Sequence, residues 1–193
     1  KTDLTLDILV LSAHPDDAEI SCGGTIPKHI SVEYKVGIVD LTRGELGTRG
    51  TPETRAKEAI EGARILGVNI RENLGFKDGF FLNDPDHQRT VIQAIRKFQP
   101  EIVLANAIHD RHVDHGRGAS LGYDASFLSG LVKIETVDLN GAKQKPWRPK
   151  VVYHYIQSNF IEPSFIVDIS DFMEIKMQAI KAFKTPFYDP QSA

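Results

Sequence analysis

Asp16, Asp17 and Glu19 put three carboxylates within four residues, His14 stands just ahead of them, and no Lys or Arg lies between Lys1 and Lys28. They come directly after an apolar run, Ile8-Leu9-Val10-Leu11. At the mouth of a buried strand such a group repels itself unless a cation sits among its oxygens. A second cluster, His109-Asp110-Arg111-His112-Val113-Asp114-His115, follows the apolar run 102–105 and holds three of the seven histidines. A catalytic zinc ion takes three ligands of mixed His and carboxylate type and keeps a further position open to water. The two clusters supply such a set, with imidazole and carboxylate left over for proton transfer. A centre of this kind suits hydrolysis, which needs an activated water, a partner for the oxyanion and a proton for the leaving group. Local sequence does not decide which of Asp16 and Asp17, or which of His112 and His115, would bind the metal.

Something must bring the two clusters together. Continuous apolar runs at 8–11, 36–41, 102–105, 151–156 and 165–169 suit parallel strands covered on both faces, and 68–74 alternates like a less buried strand. Between them, Thr51-Pro52-Glu53 reads as a helix start, Ala56, Ile60, Ala63 and Leu66 form its apolar stripe, and Gly67 ends it. A second helix is expected over 86–98, stopped by Pro100, and a third after Ser170 or Asp171 with Phe172, Ile175, Ala179, Ile180 and Phe183 inward. The alternation predicts an α/β fold, a mostly parallel sheet with helices on both faces. In such sheets ligands gather beyond the C-terminal strand ends, so both clusters are expected on one rim. Residues 140–149 read as a long surface loop.

The 193 residues predict one domain over 1–193. A net charge of -3 gives no reason to expect nucleic acid or an anionic membrane as partner, and no stretch has the length of a membrane span. Cys22 is the single cysteine, which fits a reducing compartment and a buried, inert side chain; cytoplasmic is the expected location. The G-x-G-x-x-G fingerprint of dinucleotide-binding sheets is missing after the first strand, where His-Pro-Asp-Asp would oppose a pyrophosphate.

His14-Pro15-Asp16-Asp17 with Glu19, and His112-x-Asp114-His115, resemble the PIG-L/LmbE-like metal-dependent N-deacetylases. The likeness extends through Leu41-Thr42-Arg43-Gly44-Glu45-Leu46-Gly47-Thr48-Arg49-Gly50-Thr51 and Arg55-x-x-Glu58-Ala59. It implies a Rossmann-like three-layer sandwich and a zinc- or ferrous-iron-dependent amidohydrolase that deacetylates an N-acetylglucosamine conjugate. The branch that it resembles most acts on N-acetylglucosaminyl-malate in bacillithiol biosynthesis; relatives act on inositol-linked or chitobiose-type substrates. By the same resemblance His14, Asp17 and His115 hold the metal, Asp16 is the general base, and His112 with Asp114 is an electrophilic and proton-donating pair. Arg55 would bind substrate, with a surface ion pair to Glu58 as its plain alternative. Arg43 and Arg49 bracket a glycine-rich loop and are candidates for an anionic aglycone. Glu19 is expected behind the site or at a helix end, with His109, His154, His29 and His87 outside it. Tyr153, Tyr155 and Trp147 are expected to pack rather than stack on sugar. Val113 stands where many relatives have Pro. Relatives also run several tens of residues past Pro190-Gln191-Ser192-Ala193. The partner is a small sugar conjugate, and self-association is left open.

Overall fold

The computed structural model describes residues 4–187; the terminal residues on either side, including Pro190-Gln191-Ser192-Ala193, lie outside the described residues. Five strands, β1 (Ile8–Ser12), β2 (Val36–Thr42), β3 (Ile70–Phe76), β4 (Ile102–Ala105) and β5 (Val151–His154), pair in parallel in the order β3-β2-β1-β4-β5. The chain leaves β1 for β2 and β3 on one side, then returns to lay β4 and β5 on the other. Strand order therefore reverses between β1 and β4, which pair Ile8 with Ile102 and Val10 with Leu104. That reversal opens a crevice at the C-terminal ends of these two strands. The two acidic-histidine clusters follow them directly.

The period of two along β1 explains why its run is apolar throughout. Leu9 and Leu11 join one core with Val91, Ile95 and Phe98 of α4 (Pro85–Phe98) and Leu121 of α5 (Val113–Leu128). Ile8 and Val10 join the opposite core with Ala18 and Cys22 of α1 (Asp17–Cys22), Ile26 of α2 (Thr25–Ile30), Leu66 of α3 (Pro52–Leu66) and Ala179 of α6 (Met173–Lys181). Both faces are covered, as the α/β sandwich requires. A short α7 (Lys184–Phe187) follows. Local signals place several ends well. Thr51 caps α3 by accepting from the Thr54 N–H, Gly67 closes it in the left-handed region at φ 74°, and Asp84 caps α4 ahead of Pro85.

The inward face of α3 is Arg55, Ala59, Gly62, Ala63 and Leu66, so Ala56 and Ile60 of the expected stripe are exposed, and two further elements differ from expectation. Residues 165–169 form no strand: Phe165 and Ile166 are exposed, Val167 and Ile169 are half-buried, and Ile169 is seated over Gly24. A five-residue apolar run does not distinguish a strand from a loop anchored at one end. The sequence patterns also give no sign of α5, whose glycines weaken the helical signal. Those glycines let it approach the sheet. A Cβ at Gly118 would lie 2.9 Å from Asn106 Oδ1, and one at Gly122 would lie 3.0 Å from Leu11 Cδ1. The close approach brings the α5 N-terminus to the crevice.

The clamp beneath the crevice is ionic. Arg71 of β3 donates to both carboxylate oxygens of Asp40 on β2, at 2.8 and 3.0 Å, and to Glu19 of α1 at 2.5 Å. All three side chains are buried, and Phe183 lies over the guanidinium at 5.9 Å. Removing one partner strands buried charge. Arg71→Met is expected to lower unfolding stability by about 3–5 kcal/mol in urea titrations; a loss below about 1 kcal/mol would put the clamp on a par with a surface pair.

Candidate active site

β1 ends at Ser12, and the chain turns sharply before α1 begins at Asp17. The turn costs backbone strain: Asp16 stands at φ 146°, ψ -24°, a region that side-chain-bearing residues rarely occupy. Such strain costs about 1–3 kcal/mol and marks positions held for function. It also separates two adjacent carboxylates. Asp16 makes no capping bond to α1 and faces Arg55, whose Nη2 donates to it at 3.0 Å. Asp17 faces the crevice, where it accepts from the His14 N–H, Asn106 Nδ2 and Gln157 Nε2, each at 3.0 Å.

Two imidazoles flank Asp17. His14 Nδ1 is 3.7 Å from Asp17 Oδ2, and His115 Nε2 is 3.2 Å from Asp17 Oδ1. The far nitrogen of each ring meets a carboxylate: His14 Nε2 lies 3.2 Å from Asp114 and 3.1 Å from Asp78, and His115 Nδ1 lies 2.5 Å from Asp110. A carboxylate behind a ligating histidine orients its ring and raises its basicity, and each of these two rings has one. Among the described residues, the groups of three donors whose ligand atoms all lie within 4.8 Å of one another are His14 with His112 and His115, and His14 with Asp78 and Asp114; Asp17 is in neither and meets His14 and His115 pairwise. The residues present therefore fit a divalent ion. The charges around them favour positive charge at this place. Burial opposes charge on His14, yet the hydrogen bonds of Asp114 and Asp78 and the charge of Asp17 outweigh it and raise its pKa to about 10. Burial likewise opposes ionisation of Asp17, but His115 holds its pKa below the usual range. Asp16 moves the other way: burial and the Asp17 charge raise it to about 7, against the pull of Arg55 and His14.

His112 and Asp114 do not pair through their side chains. His112 caps α5, its Nδ1 accepting from the Asp114 N–H at 3.2 Å, while the Asp114 carboxylate turns to His14, the Gly79 N–H at 2.7 Å and Arg117 at 3.4 Å. Burial and the His14 charge lower the His112 pKa. An Nδ1 engaged as an acceptor suits a neutral ring whose proton sits on Nε2, rather than an imidazolium.

Arg55 is buried beneath the glycine-rich loop; a Cβ at Gly47 would lie 2.8 Å from its Nη1. Its partner is Asp16, whereas Glu58 accepts from Thr185. Arg49 donates to the Pro186 carbonyl at 3.2 Å. Arg43 lines a cavity of about 330 Å³ between α3 and β3, which includes Pro15. Glu19 belongs to the Arg71 clamp. His109 is exposed; His29, His87 and His154 bond to Thr25, Asp84 and Asn106. The Tyr155 hydroxyl donates to Leu11, Trp147 to Pro100, and Tyr153 packs on Phe165. Cys22 is buried, which pushes its thiol up to about 12.

Four site residues are not evident from the sequence. Asp78 and Gly79 follow β3 on the same rim, and a carboxylate before a glycine after a strand is the available signal. Asn106 and Gln157 follow β4 and β5 but carry no charge to attract notice.

The raised His14 pKa has a consequence for metal-free protein. A histidine held above its ordinary 6.5 contributes stability that is fully present below that pH and lost as pH rises through about 10. Melting of chelator-treated protein is expected to fall across this window, and His14→Gln to flatten the fall. Equal slopes in the two proteins would contradict the assignment.

Residues 9–126 match the family model described as PIG-L, GlcNAc-PI de-N-acetylase. The chain is similar to the diacetylchitobiose deacetylase of Thermococcus kodakarensis, at 30% identity over 93% of this chain and 70% of that protein. It is also similar to the probable N-acetyl-alpha-D-glucosaminyl L-malate deacetylase 2 of Bacillus subtilis, at 24% over 92% of this chain and 82% of that protein. Among solved structures, the conserved protein TT1542 from Thermus thermophilus superposes with a TM-score of 0.86 and 39% identity, covering 94% of this chain and 80% of that one. The parallel sheet, the paired clusters at its switch point and this match over more than half its length make the chain a member of the PIG-L de-N-acetylase family.

Proposed function

We propose that this protein is a metal-dependent N-deacetylase that frees the amine of an N-acetylglucosamine conjugate and releases acetate. One observation carries the reading. A strained, buried Asp16, held near neutral pKa, stands beside a carboxylate and two imidazoles whose donor atoms support metal binding. Simple binding needs no such base.

In this reading His14, Asp17 and His115 hold the ion, with zinc the leading candidate and ferrous iron sharing the ligand set. When bound, the ion polarises the acetyl carbonyl and lowers the pKa of the attacking water. Asp16 takes a proton from that water and hands it to the departing amine, a role suited to a group titrating near 7. His112 offers its Nε2 proton to the developing oxyanion, because its Nδ1 is engaged with the α5 backbone. Asp114 acts through His14, holding the ring by its far nitrogen. Asp78, whose position is set by the Leu46 N–H at 2.9 Å, helps from the same side. Arg55 reaches the chemistry through Asp16, and any contact with substrate would be additional. Arg43 is the better placed arginine for an anionic aglycone, because Arg49 is bonded to Pro186.

A phosphoester reading would place a second ion at Asp78 and Asp114. Their oxygens already accept from Leu46, Gly79, Arg117 and His14, which argues against it.

The defining experiment compares amine release from N-acetylglucosaminyl-malate, diacetylchitobiose and free N-acetylglucosamine, with metal-free and zinc-reconstituted protein. Zinc-dependent release from at least one is expected; no release from any of them with one zinc bound per chain would overturn the reading. Arg43→Ala is expected to raise KM for the malate conjugate alone, and an unchanged KM removes the anionic-aglycone role. Arg55→Gln is expected to lower kcat and to move the acid limb of the pH–rate profile upward, since Arg55 opposes protonation of Asp16. A change confined to KM would instead make Arg55 a substrate ligand.

A further inference from the structure

We propose that Asp110 is the positioning residue of the metal centre: its carboxylate fixes the His115 ring so that Nε2 alone is left for the metal. This rests on the reading of His115 as a ligand. The Asp110 side chain is fully buried, and both its oxygens are committed. Oδ2 lies 2.5 Å from His115 Nδ1, and Oδ1 accepts from the Asn159 N–H at 2.6 Å. One buried group thus ties a ring on α5 to the segment that follows β5.

The same segment reaches the other side of the ring. The Gln157 amide oxygen accepts from the Ala107 N–H at 3.2 Å and from Asn106 at 3.0 Å. A backbone N–H can only donate, so the orientation of this amide is settled. Its NH₂ group is turned to Asp17 Oδ1 at 3.0 Å and towards His115 Nε2 at 3.4 Å. A neutral His115 with its proton on Nδ1 satisfies both neighbours. The other tautomer would set a lone pair against the Asp110 carboxylate and an N–H against the Gln157 NH₂. Two contacts from different directions therefore favour the form whose Nε2 lone pair faces the crevice once a cation lies between that nitrogen and Asp17 Oδ1, 3.2 Å away, which would otherwise draw a proton onto Nε2. A carboxylate behind a ligating histidine contributes roughly 10- to 100-fold in metal affinity.

The test measures zinc affinity by chelator competition in wild type, Asp110→Asn, Asp110→Ala and His115→Ala, with melting of each metal-free protein as the fold control. In parallel, the downfield imidazole N–H proton of His115 is followed by NMR in zinc-loaded protein. Asp110→Ala is expected to weaken zinc roughly 10- to 100-fold and to abolish that resonance. Asp110→Asn, with one acceptor oxygen for two donors, is expected to fall between it and wild type. Wild-type affinity and an unmoved resonance in folded Asp110→Ala would overturn the proposal and leave Asp110 as a loop anchor. Should Asp110→Ala not fold, the near-isosteric Asp110→Asn decides: weakened zinc supports positioning, and unchanged zinc overturns it. His115→Ala separates the two levels. If its affinity equals wild type, the ligand reading fails and the proposal fails with it; if only His115→Ala weakens zinc, the proposal alone fails.

Discussion

Crowding of buried negative charge at the ends of β1 and β4 is the constraint around which this molecule is arranged. Asp16, Asp17, Asp78 and Asp114 are all buried there, with the Asp110 side chain behind them. Uncompensated, such a group would be far too costly to bury. The protein compensates part of it with Arg55 on Asp16, Arg117 on Asp114, backbone N–H groups on Asp17, Asp78 and Asp114, and the two imidazoles between the carboxylates. Against the effect of burial, hydrogen bonds to the neighbouring carboxylates raise the pKa values of His14 and His115, so positive charge is favoured at this place. A divalent cation among the same atoms would do the same work without their protons.

The fold serves this arrangement directly. Parallel strands with both faces covered send their loops to one rim, and the reversal between β1 and β4 leaves the gap in which those loops converge. Each strand contributes. β1 supplies His14, Asp16 and Asp17; β2 the loop that covers Arg55; β3 Asp78 and Gly79. β4 supplies Asn106, Asp110 and the α5 histidines, and β5 supplies Gln157. The Arg71 clamp joins β2, β3 and α1 beneath them, so the loops rest on a rigid floor.

The sequence makes some of this legible and not the rest, for physical reasons. His14, Asp16, Asp17 and the 109–115 cluster announce themselves because their imidazoles and carboxylates are close together in the chain and follow buried strands. Adjacent carboxylates are expected to point apart, but which way each one faces follows from the backbone at Asp16. Proximity in the chain misleads about pairing where topology outweighs it. Asp114 is two residues from His112, yet its carboxylate meets His14, a hundred positions away. Arg55 is three residues from Glu58, yet it pairs with Asp16. Asp78, Asn106 and Gln157 acquire meaning only when their strands are side by side. Helix α5 is hidden by the glycines that let it pack, and 165–169 has the composition of a strand without a neighbour to pair with.

The central claim is the position of the ion, and anomalous diffraction from crystals of zinc-loaded protein at the zinc edge locates it most directly. One peak per chain is expected, bounded by His14, Asp17 and His115, with Asp110 still on the far side of the His115 ring. A peak held by Asp78 and Asp114 with no contact to Asp17, or a second peak of equal height there, would contradict it.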